Sequence, residues 1–479
     1  MEKLVGRKRE CTELTWAMES DRSEFVVLYG RRRVGKTFLI RSYFNNKYSF
    51  HFVGAHKQSR QQQLLNFKDA LDEFSGIDNP VPDSWRAAFK QLAMLLDNCP
   101  DQRKVVFFDE MPWMETHGGG FVEELEYFWA SWVQNRDDIV FIACGSATSW
   151  MKEKLEDNQG GLHNRITHRI YLRPFYLGEC REYLLNHGFE WSEYQIMQCY
   201  MILGGVPYYW SLLQSRLSLP ENIDNLIFRR GGSLCNEFNE SYNALFNKAD
   251  RYIEIVRFLA NKRDGCSRYD FELGTGLIGG GLTKILDNLE RCDFIMSHSH
   301  FGNKSKMTLY RLSDFYSIFY FRYIENNKTK DEQYWQHHFS SRDVESWQGF
   351  SFEQLCLQHL LHIKVGLGIA GIATEASAWR CIANKTEQQA GAQIDLVIKR
   401  ADGMTHLVEM KFAQGPYTIT KQYEQHMLER KNLFADKTGS RNSVITFITP
   451  YGVKRNMHSG FVHSEISVED LFTTVSRFE

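Results

Sequence analysis

Residues 30–37 read Gly-Arg-Arg-Arg-Val-Gly-Lys-Thr, an order of glycines, lysine and hydroxyl suited to gripping the phosphates of a nucleoside triphosphate with Mg²⁺. Gly30 and Gly35 let the backbone bend tightly, so that its N–H groups point inward. The Lys36 ammonium can reach the β- and γ-phosphates, and the Thr37 hydroxyl can ligate the metal. Val34 and Phe38 complete the phosphate-binding stretch, and the helix opening there adds its N-terminal partial charge. Arg31, Arg32 and Arg33 could touch phosphate or nucleic acid, or stand solvated on the loop. A carboxylate pair, Asp109-Glu110, closes the apolar run 105–108. Asp109 could hold Mg²⁺ through water beside Thr37, and Glu110 could polarise the attacking water. A third apolar run, 139–144, ends at Gly145-Ser146, where Ser146 could sense the γ-phosphate or be a plain turn serine. Arg165 follows a glycine loop and could act in trans as an arginine finger, or be a surface arginine.

A second group of charged residues lies near the C-terminus. Asp395 sits in the apolar run 394–398, and Glu409 and Lys411 lie two apart in residues 407–412, with Arg400-Ala401-Asp402-Gly403 as a turn between them. On a strand, Glu409 and Lys411 share one face and Val408, Met410 and Phe412 the other, and Asp395 on the paired strand can meet Glu409. Two hard carboxylates and a lysine can make a Mg²⁺ site with a group that orients or deprotonates water. An exposed hairpin with alternating charges has the same pattern. The D…E-x-K spacing resembles the PD-(D/E)xK nuclease fold, with Ile394 where that motif has proline. The resemblance makes Glu353, in a helix starting near Phe350, an extra metal ligand. Gln422 on the following helix is a further site candidate. His359, His362 and His426 lack metal-ligand spacing and read as structural or surface residues.

The elements that must position these groups follow from periodicity. Strand and helix patterns alternate up to about residue 173, which predicts a parallel α/β sheet with the 104–109 strand adjacent to the strand before the glycine loop. Residues 174–247 are mainly helical. Ile253, Val256, Phe258 and Leu259, then Leu282, Ile285, Leu286 and Leu289, mark amphipathic helices, and a strand pair turns at Gly302-Asn303 with Lys304, Lys306 and Arg311 nearby. Residues 248–325 thus resemble a winged helix-turn-helix, with Lys284 and Arg291 facing nucleic acid and the wing on its backbone. Such modules also dock proteins. Residues 326–344 are polar enough for a linker, and a second α/β pattern fills 345–479.

Taken together, the chain resembles the archaeal-type P-loop ATPase family, of the same broad class as AAA+ and STAND ATPases. The resemblance rests on Val5-Gly6-Arg7 with Glu10, the two nucleotide motifs, residues 172–175 and Gly204-Gly205-Val206-Pro207. It implies an ATPase core over 1–173 with Val5, Gly6 and Arg7 near the adenine. It also implies a helical lid over 174–247 in which residues 204–207, Pro207 included, face the nucleotide. Where the family often has Tyr-Gly-Arg, this chain has His163-Asn164-Arg165. The expected fold class is α/β: a P-loop NTPase parallel sheet with helical lid, a winged helix-turn-helix and a restriction-endonuclease-like C-terminal domain.

Composition narrows the function classes. The 479 residues carry a net charge of −2, which excludes a uniformly basic nucleic-acid coat but allows local patches. Residues 248–312 hold 11 Lys and Arg against 8 Asp and Glu, and residues 413–460 hold 7 against 3. Ten cysteines without a C-x-x-C pair suggest reduced thiols in a cytoplasmic protein, and no apolar run approaches a membrane span. The expectation is an ATP- and Mg²⁺-binding ATPase that acts on DNA, as a homo-oligomer or with a partner protein, its nucleotide state controlling the nuclease-like domain. The alternative is a signalling switch ATPase whose C-terminal domain binds without cutting.

Overall fold

The computed structural model describes residues 3–475 except 117, 147, 157–161, 163, 247, 263–264, 303–307, 328–330 and 382–390. The chain divides into two compact units, Met1–Pro174 and Phe175–Glu479. No described helix is long and apolar enough to cross a membrane.

The first unit is built on a parallel sheet of β1 (Glu24–Tyr29), β2 (Phe50–Val53), β3 (Lys104–Asp109), β4 (Ile139–Gly145) and β5 (His168–Tyr171), in the order β2-β3-β4-β1-β5. Every residue of β1, β3 and β4 is buried. Both sheet faces are therefore covered, which explains why these strands read as unbroken apolar runs rather than alternating ones. On one face Phe67, Trp85, Phe89, Phe121 and Phe128 pack against the sheet; on the other, Leu14, Leu39 and Ile40 do. The strand order corrects one expectation. The 104–109 strand is not the neighbour of the strand before the glycine loop, because β4 pairs with both and lies between them.

The second unit opens with helices, among them Leu177–Asn186, Glu193–Leu203, Pro207–Ser211 and Glu237–Leu245. Helices Ala249–Ala260, Arg268–Thr275 and Gly279–Arg291 follow, with a small antiparallel sheet of β6 (Cys266–Ser267), β7 (Ile295–His298) and β8 (Leu309–Leu312), ordered β6-β8-β7. Leu282, Ile285, Leu286 and Leu289 are buried along one side of the last helix, while Lys284 is exposed and Arg291 half-buried. Lys304 and Lys306 lie outside the described residues. The segment after β7 does not project as a free wing: Phe301 N–H donates to Ala378 O, and Ala378 N–H to Ser299 O, so it pairs with the strand at Ala378. The expected linker is also structured. Helix Tyr334–His338 buries Trp335 completely and is capped by the Asp224 carboxylate, which accepts from Trp335 N–H at 2.7 Å.

The last portion is a five-stranded sheet of β9 (Thr374–Cys381), β10 (Ala392–Arg400), β11 (Thr405–Met410), β12 (Ser443–Ile448) and β13 (Val462–Ile466), in the order β13-β12-β11-β10-β9. Strands β9, β10 and β11 are antiparallel, and β11, β12 and β13 parallel. Helix Lys421–Thr438 sets Phe434 against Trp379. Helix Arg342–Gln358 begins well before Phe350, so Glu353 lies in its interior rather than at its start. β11 is a central strand buried on both faces, not half of an exposed hairpin.

Candidate nucleotide and carboxylate sites

The glycine loop joins β1 to helix Lys36–Tyr43. Gly30 has φ +153°, and a Cβ there would stand 2.3 Å from the carbonyl oxygen of Leu172, just past β5. Gly35 caps the helix at φ +90°, in the left-handed region that a side chain disfavours. Lys36 folds over its own loop, its Nζ donating to Gly30 O at 2.9 Å and Arg31 O at 3.0 Å. Arg7 is 4% exposed, and its Nη2 donates to Val34 O at 3.3 Å, so the Val5-Gly6-Arg7 segment packs on the loop itself. Val5, Val34 and Arg31 are buried, Arg33 is half-buried, and Phe38 is exposed. Arg32 Nη1 is buried with no hydrogen-bond partner among the described residues, a donor that a phosphate oxygen could satisfy.

The carboxylates of β3 meet this loop across the intervening strand. Thr37 Oγ1 donates to Asp109 Oδ2 at 2.7 Å, and Glu110 N–H donates to Asp109 Oδ1 at 2.9 Å. Glu110 itself has φ +48°, which turns the chain out of the strand. Its carboxylate accepts from Ser146 Oγ at 2.9 and 3.2 Å. Because β4 lies between β1 and β3, its end carries Ser146 to Glu110. Thr37, Asp109, Glu110 and Ser146 thus form one chain of hard oxygens suited to Mg²⁺ and to a polarised water. Arg165 does not join them: its Nη1 donates to Glu126 O at 3.3 Å. Pro207 starts a helix of the second unit.

The C-terminal carboxylates line a pocket of about 260 Å³ together with Glu353, Lys411, His426 and Arg430. Leu396 pairs with Val408, so Asp395 lies opposite Glu409 one antiparallel step on. Glu409 is held by Lys411 at 2.7 Å, by Arg430 at 2.8 Å and by the Tyr423 hydroxyl. Burial works to raise its carboxyl, but these partners outweigh burial and keep it below its ordinary value. Burial would also lower Lys411, yet Glu409 holds it above its ordinary value. Asp395 accepts from Gln393 Nε2 at 2.8 Å and from Arg311 Nη2 at 3.3 Å. Burial, then the Asp395 charge, push Glu353 up to about 8. Among the described residues, no group of three or more His, Cys, Asp or Glu side chains converges to hold a metal ion.

Several of these partners were not legible as site residues. Gln422 is exposed and does not line the pocket, whereas Tyr423, His426 and Arg430 of the same helix approach it. His426 is exposed, as expected of a surface histidine, and it also lines the pocket, its Nε2 2.8 Å from Arg430 Nη2. His359 and His362 are fully buried, as expected of structural residues. The spacing 423, 426, 430 is that of one helix face and was the available signal. Arg311, expected on nucleic-acid backbone, is instead 7% exposed and paired with Asp395.

This arrangement of glycine loop, Thr37 and Asp109 on a parallel sheet defines a P-loop ATPase. Residues 4–213 match the model of an ATPase domain predominantly from Archaea, and the chain carries a domain of that family. An uncharacterised protein of Methanocaldococcus jannaschii is 24% identical over 363 residues, 75% of this chain and 78% of that protein. An uncharacterised ATP-binding protein of the same organism is 44% identical over 44 residues, 9% of this chain and 75% of that protein. Among solved structures, a Walker-type ATPase of Pyrococcus abyssi shares 19% identity at a TM-score of 0.48, covering 67% of this chain and 97% of that one.

Proposed function

We propose that the protein hydrolyses ATP at the glycine loop and that its nucleotide state controls a metal-dependent, nuclease-like C-terminal domain acting on DNA. The observation that carries this reading is the pocket in which Asp395, Glu409, Lys411 and Glu353 stand together. At the first site Lys36 would take the β- and γ-phosphates in place of its loop carbonyls, Thr37 and Asp109 would hold Mg²⁺, and Glu110, oriented by Ser146, would position the attacking water. Val5, Gly6 and Arg7 lie by the adenine, and Arg31, Arg32, Arg33, Val34, Gly35 and Phe38 surround the phosphates. Arg165 serves a neighbouring copy as an arginine finger, and Pro207 helps form the lid.

At the second site Asp395, Glu409 and Glu353 line one pocket with oxygen donors of the kind a hard divalent cation takes, though as placed they do not converge on one point. Asp395, Glu409 and Glu353 would hold the metal, which when bound stabilises charge on a phosphodiester. Lys411 orients or deprotonates the water. The exposed Lys284 and its helix contact DNA. The test is plasmid cleavage with Mg²⁺ or Mn²⁺, with and without ATP. Metal-dependent cutting lost in Glu409→Ala supports the reading, and uncut DNA for both proteins in every condition removes cleavage from it.

A second reading is favoured by the ion pairs at Glu409. A carboxylate already held by Lys411, Arg430 and Tyr423 suits a domain that binds without cutting, in a signalling switch ATPase. That reading expects slow hydrolysis with ADP retained after purification, and no cleavage.

A further inference from the structure

A second cavity, of about 270 Å³, is linked to the carboxylate pocket by an ion pair between their linings. Arg311 lines it, while Arg311 Nη2 is 3.3 Å from Asp395 Oδ1 in the first pocket. Among the described residues its lining has three cationic side chains, Lys262, Arg311 and Arg322, and no Asp or Glu. Arg322 is paired with Asp343 at the rim, and Lys262 is exposed. Phe321, Phe350 and Trp347 supply aromatic walls. Trp347 is 5% exposed, yet its indole N–H is buried with no hydrogen-bond partner among the described residues. A buried indole N–H ordinarily finds an acceptor, so this one is a donor that a ligand could satisfy.

These features specify a ligand that is anionic at one end and flat, with a hydrogen-bond acceptor, at the other. Aromatic side chains and guanidinium groups recognise nucleobases and phosphates in this combination. The volume is just below the roughly 300–1,000 Å³ of ordinary ligand pockets, enough for a single nucleotide unit and too small for a duplex. We propose that this cavity binds one nucleoside phosphate, with the base among Trp347, Phe321 and Phe350 and the phosphate on Lys262, Arg311 and Arg322. A phosphate there competes with Asp395 for Arg311. Occupancy of the cavity and cation binding at the carboxylate pocket therefore favour one another, a coupling that rests on the proposed metal role of Asp395. A free mononucleotide and the terminal nucleotide of a strand present the same chemistry.

The test uses the full chain carrying Lys36→Ala, so that the glycine loop contributes no tight nucleotide binding. AMP and a 5′-phosphorylated oligothymidylate are titrated separately by calorimetry. Saturable binding is expected, weakened about tenfold by Lys262→Ala and by Trp347→Phe, the latter removing the N–H donor together with the pyrrole ring while keeping an aromatic side chain. Binding of AMP assigns a free nucleotide, and binding of the oligonucleotide alone assigns a strand end. Binding of neither, or binding unchanged by both substitutions in chains with native circular dichroism, overturns the proposal. Mn²⁺ binding, read by electron paramagnetic resonance and assigned with Asp395→Asn, is expected to tighten with ligand present. Ligand binding that leaves Asp395-dependent Mn²⁺ affinity unchanged overturns the coupling. Absence of any Asp395-dependent Mn²⁺ binding instead overturns the metal reading and leaves the cavity's ligand standing.

Discussion

Removal of Glu353 should give a strong pH-dependent signature. Burial and the neighbouring Asp395 push its carboxyl from an ordinary 4.5 up to about 8. The folded chain therefore disfavours the ionised form. Stability is complete at low pH and is lost as pH rises from about 4.5 through 8. At ~1.36 kcal/mol per pKa unit, the charged carboxylate costs roughly 5 kcal/mol at pH 9 and about 1 kcal/mol at pH 5. Glu353→Gln keeps the shape and removes the charge. Relative to wild type, its stability should therefore improve by about 4 kcal/mol between pH 5 and pH 9. At ~2 °C per kcal/mol for a unit of this size, the gap in Tm should widen by about 8 °C. The assay is thermal unfolding of both proteins in EDTA across that range. A Tm difference that is the same at pH 5 and pH 9 would refute the reasoning, because it would mean that Glu353 ionises in the folded chain as freely as in the unfolded one.

Glu110→Gln should bind ATP as wild type does while turnover falls at least ~100-fold, since it loses the base that orients water; equal turnover in a phosphate-release assay removes Glu110 from the chemistry. Gly30→Ala places a Cβ 2.3 Å from Leu172 O, a backbone atom that cannot yield, so both nucleotide affinity and Tm should drop, by more than ~2 kcal/mol in stability. His406, 2% exposed and pushed down to about 4 chiefly by burial, contributes stability that is full above pH 6.5 and lost as pH falls through 4. His406→Gln should therefore lose about 3 kcal/mol less than wild type between pH 7 and pH 4 in urea unfolding.

What was legible in the sequence was whatever is contiguous. The glycine loop carries its own strand, turn and helix in about twenty residues, and the apolar runs of β1, β3 and β4 announce a sheet covered on both faces. Strand order was not legible, because pairing depends on crossovers that leave no local mark; the insertion of β4 between β1 and β3 reversed the expected adjacency. The Arg311–Asp395 pair spans 84 positions, and no spacing rule links an arginine in a small antiparallel sheet to a carboxylate in another. Arg311 read as a backbone contact for nucleic acid because its type and its hairpin suggested one. Pairing of residues 299 and 301 with Ala378 turned that hairpin onto the chain's own sheet.

The two carboxylate sites differ in what satisfies them. Asp109 and Glu110 accept from hydroxyls and a backbone N–H, at Thr37, Ser146 and Glu110 itself. Neutral donors leave the full negative charge available, and Thr37 is itself a ligand type for Mg²⁺. Glu409 and Asp395 accept from cations, at Lys411, Arg430 and Arg311. A divalent ion entering there must displace or share fixed positive charge, whereas at the glycine loop Asp109 accepts from a hydroxyl and a backbone N–H. Arg311 is the cation drawn from a different sheet, so it can be withdrawn without breaking the strand that carries Glu409 and Lys411. Because Arg311 is paired with Asp395, whatever else binds that guanidinium changes the charge that Asp395 presents to its pocket.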